Sequence, residues 1–149
     1  MDTKYAARTV IYDNNNLFAL IDVKNGQYFK IPGGGLEDNE TSEQAAIREA
    51  LEESGCEIKI IQKIGESEFI DEDKNIIHHS VCFLAEKIRQ VNNSTFDDWE
   101  KSQNMKIIWL NIHQAVNLFK NAKPKDNFSQ KINQRDFEFI LKAKKILSL

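Results

Sequence analysis

The sequence predicts an α/β fold in which a mixed β-sheet lies between layers of helices. Short apolar, β-branched segments fill the first part of the chain, and a helix-length segment with cap signals follows a glycine run. The C-terminal tail has apolar residues at helical spacing. The chain has 149 residues, 41% of them apolar, which predicts a single domain spanning residues 1–149.

Three strands are predicted before the glycine run. The first ends at 10–12, and the second covers 17–23. Asn25-Gly26 is a strong signal for a two-residue hairpin, which would return the chain as a third strand at 28–31. The Pro-Gly-Gly-Gly run at 32–35 is expected to lie outside regular structure.

A helix is predicted from Ser42 to Ser54. Thr41 and Gln44 have the spacing of a capping box, and Gly55 supplies a left-handed stop. At about 100° per residue, the helix turns three apolar side chains toward the core: Ile47, Ala50 and Leu51.

The rest of the chain alternates between strands and helices. Three further strands are predicted: 58–64, 76–88 and 106–110. Residues 89–104 form a polar loop, and helices are expected at 111–119 and 129–147. The last helix carries its apolar residues on one face: Ile132, Phe139, Ala143, Ile146 and Leu147.

Composition excludes several classes of protein. The net charge of −3 predicts no DNA or RNA partner, because such partners require a basic face. No stretch approaches the roughly 20 apolar residues of a membrane span. Cys56 and Cys82 lack the spacing of a metal or redox motif and are interpreted as buried free thiols. Without a cleavable signal, a soluble cytoplasmic protein is expected.

The predicted helix concentrates negative charge on one side. Glu49, Glu52 and Glu53 are three or four residues apart, so their carboxylates crowd together and oppose the helix dipole. A divalent cation would reverse this cost, and an all-oxygen site suits Mg²⁺ or Mn²⁺. The small side chains of Ala45 and Ala46 would let a loop or a phosphate approach. Taken alone, the three glutamates also fit an ordinary solvated helix face.

The surrounding residues favour the metal site. Residues 34–56 read GGLEDNETSEQAAIREALEESGC, which resembles the Nudix (MutT-like) box, Gly-x5-Glu-x7-Arg-Glu-U-x-Glu-Glu-x-Gly-U, where U is a bulky apolar residue. Three positions depart from the pattern: Asn39 stands where glycine is frequent, and Ala50 and Cys56 are small for U. The fixed positions all match: Gly34, Glu40, Arg48, Glu49, Glu52, Glu53 and Gly55.

This resemblance implies a Nudix-type α/β/α sandwich in which the box forms a loop–helix–loop motif. It implies a Mg²⁺-dependent hydrolase, with Mn²⁺ as the other candidate ion, that cleaves a diphosphate linkage in a nucleoside triphosphate or another nucleoside-diphosphate-linked small molecule. Homodimers are common in that family.

The resemblance also assigns roles within the box. Glu52 and Glu53 would bind metal, with Glu49 as a further ligand or general base and the Gly33 carbonyl as another ligand. Arg48 would orient these groups through salt bridges. Two residues would have structural roles: Glu40, which ties the loop to the helix, and Gly55, which ends the helix.

Residues outside the box complete the predicted site. Glu100 is the candidate for one more acidic metal ligand, followed by Glu66 and Glu68, although each also fits a solvated surface position. Phe96 and Trp99 could stack on a base or pack as a satellite core. The candidate substrate contacts are Lys24, Tyr28, Lys30, Gly34, Gly35 and Trp99.

Other functions compete with hydrolysis. The main alternative is a Nudix-fold nucleotide-binding or sensor module that does not hydrolyse its ligand, in which the box glutamates would be eroded. An isomerase on the same fold would need another reactive group, for which Cys82 is available. A plain interaction protein with an acidic helix would leave the glycine run and Arg48 unexplained.

Overall fold

A computed structural model describes all 149 residues. It contains seven strands and four helices, in the order β1 (Asp2–Tyr12), β2 (Phe18–Val23), β3 (Tyr28–Lys30), β4 (Gly33–Gly35), α1 (Ser42–Ser54), β5 (Cys56–Asp71), β6 (Ile76–Gln90), α2 (Asp98–Ser102), β7 (Lys106–Leu110), α3 (Ile112–Asn121) and α4 (Asn127–Ile146). None of the helices combines the length and apolar character needed to cross a membrane.

The seven strands form one mixed sheet. Its central order is β3-β2-β1-β6-β5, with β4 added to β1 and β7 to β2. β1 and β6 pair in parallel, and the other pairs are antiparallel. Helix α1 packs on one face, while α3 and α4 cover the other. The predicted α/β/α sandwich with a mixed sheet is therefore confirmed.

Strand alternation divides the core between the two faces of the sheet. Val10 points into the larger cluster, which includes Phe119 of α3 and Phe139 of α4. Its neighbour Ile11 points to the opposite face and packs with Ala50 of α1. One strand thus anchors helices on both sides, which brings the predicted acidic helix against the centre of the sheet.

Side chains of α4 bind the outer edge of β3. The Phe29 N–H donates to Asn133 Oδ1 at 3.1 Å, and the Ile31 N–H donates to Asp136 Oδ2 at 3.0 Å. Arg135 Nε donates to Asp136 Oδ1 at 2.7 Å in the protein interior. An edge strand whose outward N–H groups are satisfied in this way cannot pair with another chain.

The glycine-rich segment and the preceding turn differ from the prediction. Residues 33–35 form a strand, because β1 offers them an antiparallel partner from Ala6 to Arg8. The hairpin closes with Val23 opposite Tyr28, which leaves a four-residue loop. Three of its residues have positive φ: Lys24 (53°), Asn25 (55°) and Gly26 (85°). The two-residue turn predicted there was wrong.

Helix α1 has the predicted ends but a different buried face. Thr41 and Gln44 form the capping box, and Gly55 has φ 72°. Ile47 and Leu51 are 44% and 37% exposed, so the expectation that they face the core was wrong. The buried side of α1 instead consists of three alanines, whose short side chains let the helix approach the sheet closely: Ala45, Ala46 and Ala50.

The burial of alanines in α1 corrects a second expectation. Ala45 and Ala46 pack with Ala7 and Phe83 in a small core cluster. They do not open a path for phosphate toward the carboxylates, because the sheet itself occupies the space they leave.

The later elements were predicted in type but not in extent. β5 runs to Asp71, beyond the predicted 58–64, because it pairs with β6 through a polar stretch. The predicted polar loop 89–104 contains helix α2, which a capping box from Asp97 to Glu100 begins. In α4, Phe139 and Ala143 are buried as expected, whereas Ile146 is exposed.

Candidate active site

Strand β4 places the glycine run directly against the acidic helix. The Gly33 N–H donates to Glu53 Oε1 at 2.7 Å. A Cβ atom on Gly34 would lie 2.5 Å from Glu49 Oε1, so only glycine allows this carboxylate to rest on the strand. β1 fixes β4 in turn, with Arg8 opposite Gly33. The local fold therefore couples the glycine backbone to two of the three helix glutamates.

Arg48 joins the loop before α1 to the carboxylates on the helix. Its Nε and Nη2 donate to the two oxygens of Glu40 at 2.8 and 2.9 Å, and Nη2 also donates to the Gly35 carbonyl at 3.0 Å. Nη1 lies 3.0 Å from Glu49 Oε1 and 3.4 Å from Glu52 Oε2. The hydrogen bonds from Arg48, together with the one from the Glu37 N–H, lower the pKa of Glu40 to about 2. The guanidinium thus holds the loop, the helix and two glutamates together.

Glu53 is the most deeply buried of the acidic residues in the site. It is 1% exposed, and Oε2 has no hydrogen-bond partner. Burial raises the pKa of Glu53, while the nearby charge of Lys30 and the Gly33 N–H oppose that shift. Burial also raises the pKa of Glu49, against the effect of Arg48. Burial therefore makes the charged form of both carboxylates costly, and a cation would offset that cost.

Glu49 and Glu52 open onto a cleft of about 490 Å³, while Glu53 is buried behind them. Two basic side chains line the cleft, namely Arg8 and Lys30, and so do four acidic ones: Glu49, Glu52, Asp97 and Glu100. Glu100 also lies near Glu53, and its proximity contributes to the raised pKa of that group. A cleft lined by both basic and acidic side chains is suited to an anionic ligand bound together with a metal cation, since the basic groups can contact the anion and the acidic groups the cation.

The segment before α2 forms the remaining wall of the cleft. The Thr95 N–H donates to the Glu52 carbonyl at 2.6 Å, which ties this segment to α1. Phe96 packs against the core cluster that contains Met105. Trp99 lines the cleft but is 59% exposed. The sequence left open whether these aromatic side chains pack in the core or stack on a base. Phe96 packs, while the exposed Trp99 is free to contact a ligand.

The structure brings most of the predicted site residues into one place. Gly33, Gly34, Gly35 and Lys30 line the cleft with the glutamates and Trp99. Glu100 lines the cleft as well, and its role as a metal ligand stays a prediction.

Two predicted substrate contacts lie elsewhere. Tyr28 is 3% exposed within a core cluster, because its position on β3 turns it inward. Lys24 belongs to the β2–β3 loop and lines a separate basic groove with Lys123 and Lys125. These two assignments are corrected.

The reserve acidic candidates also lie outside the cleft. Glu66 and Glu68 sit on β5, where they pair with the two ring nitrogens of His79 at 2.9 Å each. Strand pairing places them on the β5–β6 ribbon, where Glu66 also pairs with Lys63 at 2.9 Å.

Three cleft residues were not predicted from the sequence, namely Thr95, Asp97 and Arg8, and Arg8 is the basic one. It is the one charged residue in the otherwise apolar end of β1, from Ala6 to Tyr12. A lone arginine within a buried strand was the available signal, since charged residues rarely enter such strands without a partner.

The residues present fit a hard divalent cation. The donors at the cleft are carboxylate and backbone oxygens, and Glu53 Oε2 is a buried acceptor without a partner. No three Asp, Glu, His or Cys side chains converge as a ready-made metal site. Arg48 explains part of this spread, because it holds Glu49 and Glu52 on its own nitrogens.

Comparison with known sequences identifies relatives of this architecture. A family model described as NUDIX domain matches residues 2–132. Nudix hydrolase 4 of Arabidopsis thaliana is 26% identical over 102 residues, covering 68% of this chain and 47% of that protein. Diphosphoinositol polyphosphate phosphohydrolase 3-alpha of Mus musculus is 30% identical over 96 residues, covering 63% and 54%. The chain spans about half the length of these relatives.

Solved structures show the same fold. A NUDIX hydrolase from Nitrosomonas europaea superposes with a TM-score of 0.67 at 17% identity, over 92% of this chain and 89% of that one. The MutT protein from Methanosarcina mazei gives a TM-score of 0.67 at 15% identity, over 97% and 96%. At these identities the likeness concerns the fold alone.

Proposed function

The chain belongs to the NUDIX domain family, and we propose that it is a divalent-metal-dependent pyrophosphohydrolase acting on a nucleoside triphosphate or another nucleoside-diphosphate-linked small molecule. One observation carries this proposal. Glu53 is buried beside Glu49 and Glu100, with one oxygen held by the Gly33 N–H and the other without a partner. A folded protein retains such a group when a ligand compensates it.

In this proposal, Glu52 and Glu53 would hold Mg²⁺ or Mn²⁺. Three further groups line the same cleft and are the other candidate ligands: Glu49, Glu100 and the Gly33 carbonyl. A bound ion would neutralise charge on the diphosphate oxygens and acidify the attacking water. The side chains of this chain supply the remaining functions.

Glu49 is suited to be the general base. Burial raises its pKa toward the working range of a proton acceptor, and Arg48 keeps its carboxylate in a fixed position. As the base takes the proton, the water oxygen attacks one phosphorus and the bond from that phosphorus to the bridging oxygen breaks. Arg48 acts as a positioning residue, because its hydrogen bonds go to protein groups.

The cleft also limits the substrate. Its volume of about 490 Å³ suits a small molecule. Lys30 and the backbone of Gly34 and Gly35 lie where phosphate oxygens would bind, and the exposed Trp99 offers a face on which a base can stack. With a net charge of −3, the chain favours such a ligand over DNA or RNA.

A substrate panel tests the reaction. Nucleoside triphosphates, ADP-ribose, dinucleoside polyphosphates and a diphosphoinositol polyphosphate are incubated with Mg²⁺, Mn²⁺ or chelator, and released phosphate and pyrophosphate are measured. The inositol compound is included because of the name of the mouse relative. We expect metal-dependent hydrolysis of at least one compound. Saturable binding without hydrolysis would instead support the non-hydrolytic binding module.

A matched pair of variants tests the metal assignment. Glu53→Gln should lower turnover by more than about 100-fold, because it removes a charged ligand while keeping the side-chain shape. Glu57→Gln is the control, since Glu57 is an exposed residue paired with Arg89 on the β5–β6 ribbon. Near-full activity of Glu53→Gln would refute the assignment.

A further inference from the structure

The side chain of Arg8 is held rigidly at the base of the cleft. Its Nε donates to Ser80 Oγ at 3.1 Å, across the parallel pair of β1 and β6. Gly33 presses on its stem, since a Cβ there would lie 2.6 Å from Arg8 Cγ. The guanidinium therefore has a fixed position before any ligand arrives.

Two nitrogens of this guanidinium, Nη1 and Nη2, have no hydrogen-bond partner in the protein. Nη1 is shielded from solvent and makes no hydrogen bond. Glu53 and Asp136 attract the charge of Arg8 without bonding to it, while Arg135 repels it. A buried charged donor without an acceptor costs more than an ordinary unpaired group. Nη2 makes no hydrogen bond to the protein and is not shielded in this way, so an anion in the cleft that Arg8 lines can accept from it.

The charges in the cleft indicate where that anion would lie. Arg8 and Lys30 are the two basic residues lining it, and they face the acidic group formed by Glu49, Glu52 and Glu100. A phosphoryl group has oxygens for both: some for the basic side chains and some for a cation held by the glutamates. The planar guanidinium matches two phosphate oxygens at once, which an ammonium group cannot do.

We propose that Arg8 is a substrate-binding residue whose guanidinium, together with Lys30, receives the non-bridging oxygens of the diphosphate. This inference rests on the proposed function and adds to it a contact outside the box. A purely structural Arg8 would stabilise the fold through Ser80 and Asp136 and leave the affinity for diphosphate unchanged.

Binding of a non-hydrolysable diphosphate separates these two roles. Methylenediphosphonate is titrated in the presence of Mg²⁺ and followed by calorimetry. Arg8→Met should weaken the binding of methylenediphosphonate by at least about tenfold. The affinity of Arg8→Lys should lie between those of Arg8→Met and the unaltered protein, because lysine keeps the charge but loses the two-pronged guanidinium contact. Arg89→Met is the control, since Arg89 is exposed and pairs with Glu57. Folded Arg8→Met that binds methylenediphosphonate as tightly as the unaltered protein would overturn the proposal.

A measurement on the unaltered protein covers the case in which Arg8→Met does not fold. The Nε–Hε resonance of Arg8, assigned with Arg8→Lys, should shift on saturation with methylenediphosphonate and Mg²⁺. An unchanged resonance at saturation would overturn the assignment. A shift in a protein that hydrolyses nothing in the substrate panel would support the Arg8 contact and contradict the proposed reaction, so the two failures can be told apart.

Discussion

At the scale of single residues, the candidate site is built from groups that weaken the folded state. Glu53 has one oxygen satisfied by Gly33 and the other buried without a partner. Arg8 has an unpaired nitrogen in the same region. Each group carries a desolvation cost that the fold alone does not offset. Stability is lost at the positions where a cation and an anion would be bound.

We expect Glu53→Gln to stabilise the metal-free protein at alkaline pH. Because burial raises the pKa of Glu53, the native state binds this proton more tightly than the unfolded state does. Native stability therefore falls as the pH rises from the ordinary carboxyl range toward the raised pKa, and glutamine removes this loss. A gain of about 1 kcal/mol would raise the melting temperature by roughly 2–4 °C.

Melting curves at pH 5 and pH 8 in chelator measure this effect. Glu57→Gln should leave both melting temperatures unchanged, because Glu57 is exposed. If Glu53→Gln melted below the unaltered protein at pH 8, burial of the charge would not be the dominant effect.

His79 should also make stability fall as the pH rises, but in this case a favourable contact of the charged form is lost. Its Nδ1 lies 2.9 Å from Glu68 and its Nε2 lies 2.9 Å from Glu66, and these contacts raise the pKa of the imidazole. The added stability is present below the ordinary histidine pKa and is lost as the pH rises through the raised one. His79→Gln should therefore lose stability at pH 5.5 and match the unaltered protein at pH 9.

Urea unfolding at the two pH values measures the contribution of His79. We expect at most about 1 kcal/mol at pH 5.5, because the pair lies near the surface. His113→Gln on α3 is the control histidine. An equal loss at both pH values would indicate packing and not charge.

At the scale of elements, β4 contains three consecutive glycines with different surroundings. A Cβ on Gly33 would meet the Ala7 carbonyl oxygen at 2.5 Å, and one on Gly34 would meet Glu49 Oε1 at the same distance. A Cβ on Gly35 would have Tyr5 O at 3.8 Å, which is an ordinary contact. Substitution by alanine would therefore disturb backbone packing at Gly33, the position of the Glu49 carboxylate at Gly34, and neither of these at Gly35.

We expect Gly34→Ala to fold and to lose most of its activity. The added methyl group would push the Glu49 carboxylate away from β4, and a displacement of about 1 Å in a reacting group can cost about 100-fold. Gly35→Ala adds the same methyl group to the cleft without this clash, and it should keep more turnover than Gly34→Ala. Gly33→Ala should lower stability as well, because the clash is with backbone. Full activity in Gly34→Ala would show that the position of Glu49 does not matter.

The elements also show why sequence patterns predicted some features and missed others. The ends of α1 depend on Thr41, Gln44 and Gly55, which act locally, and all three were predicted. Its buried face depends on how closely the sheet approaches, so the large side chains of Ile47 and Leu51 gave the wrong side. β4 was missed because glycine carries no strand signal, and its pairing is supplied by β1.

At the scale of the whole molecule, the site depends on contacts between distant parts of the chain. The box glutamates were identified from spacing within one helix. Tyr28 and Lys24 were misplaced because the direction of β3 and the shape of its loop are set by α4 and α2. Arg8 reaches the cleft only through the pairing of β1 with β4 and β6. Local patterns contain none of these pairings.

Asp136 connects α4 to the segment that leads into β4. It is fully buried, binds Arg135 and accepts the Ile31 N–H two residues before β4. Asp136→Ala would leave Arg135 buried without its partner, which we expect to cost about 3–5 kcal/mol in urea unfolding. Asp136→Asn keeps an acceptor for Ile31 and should cost less. Glu138→Ala, on the exposed face of α4, should stay within about 0.5 kcal/mol.

Activity measured beside stability shows whether α4 positions the site. If the hydrogen bond from the Ile31 N–H to Asp136 fixes the position at which the chain enters β4, Asp136→Ala should reduce turnover even at temperatures where the variant remains fully folded. Asp136→Asn should retain more of that turnover, because the Ile31 N–H keeps its acceptor. Equal turnover per folded molecule in both variants would mean that α4 stabilises β3 without affecting the glycine strand. In that case β1 alone would set the geometry of the glutamates.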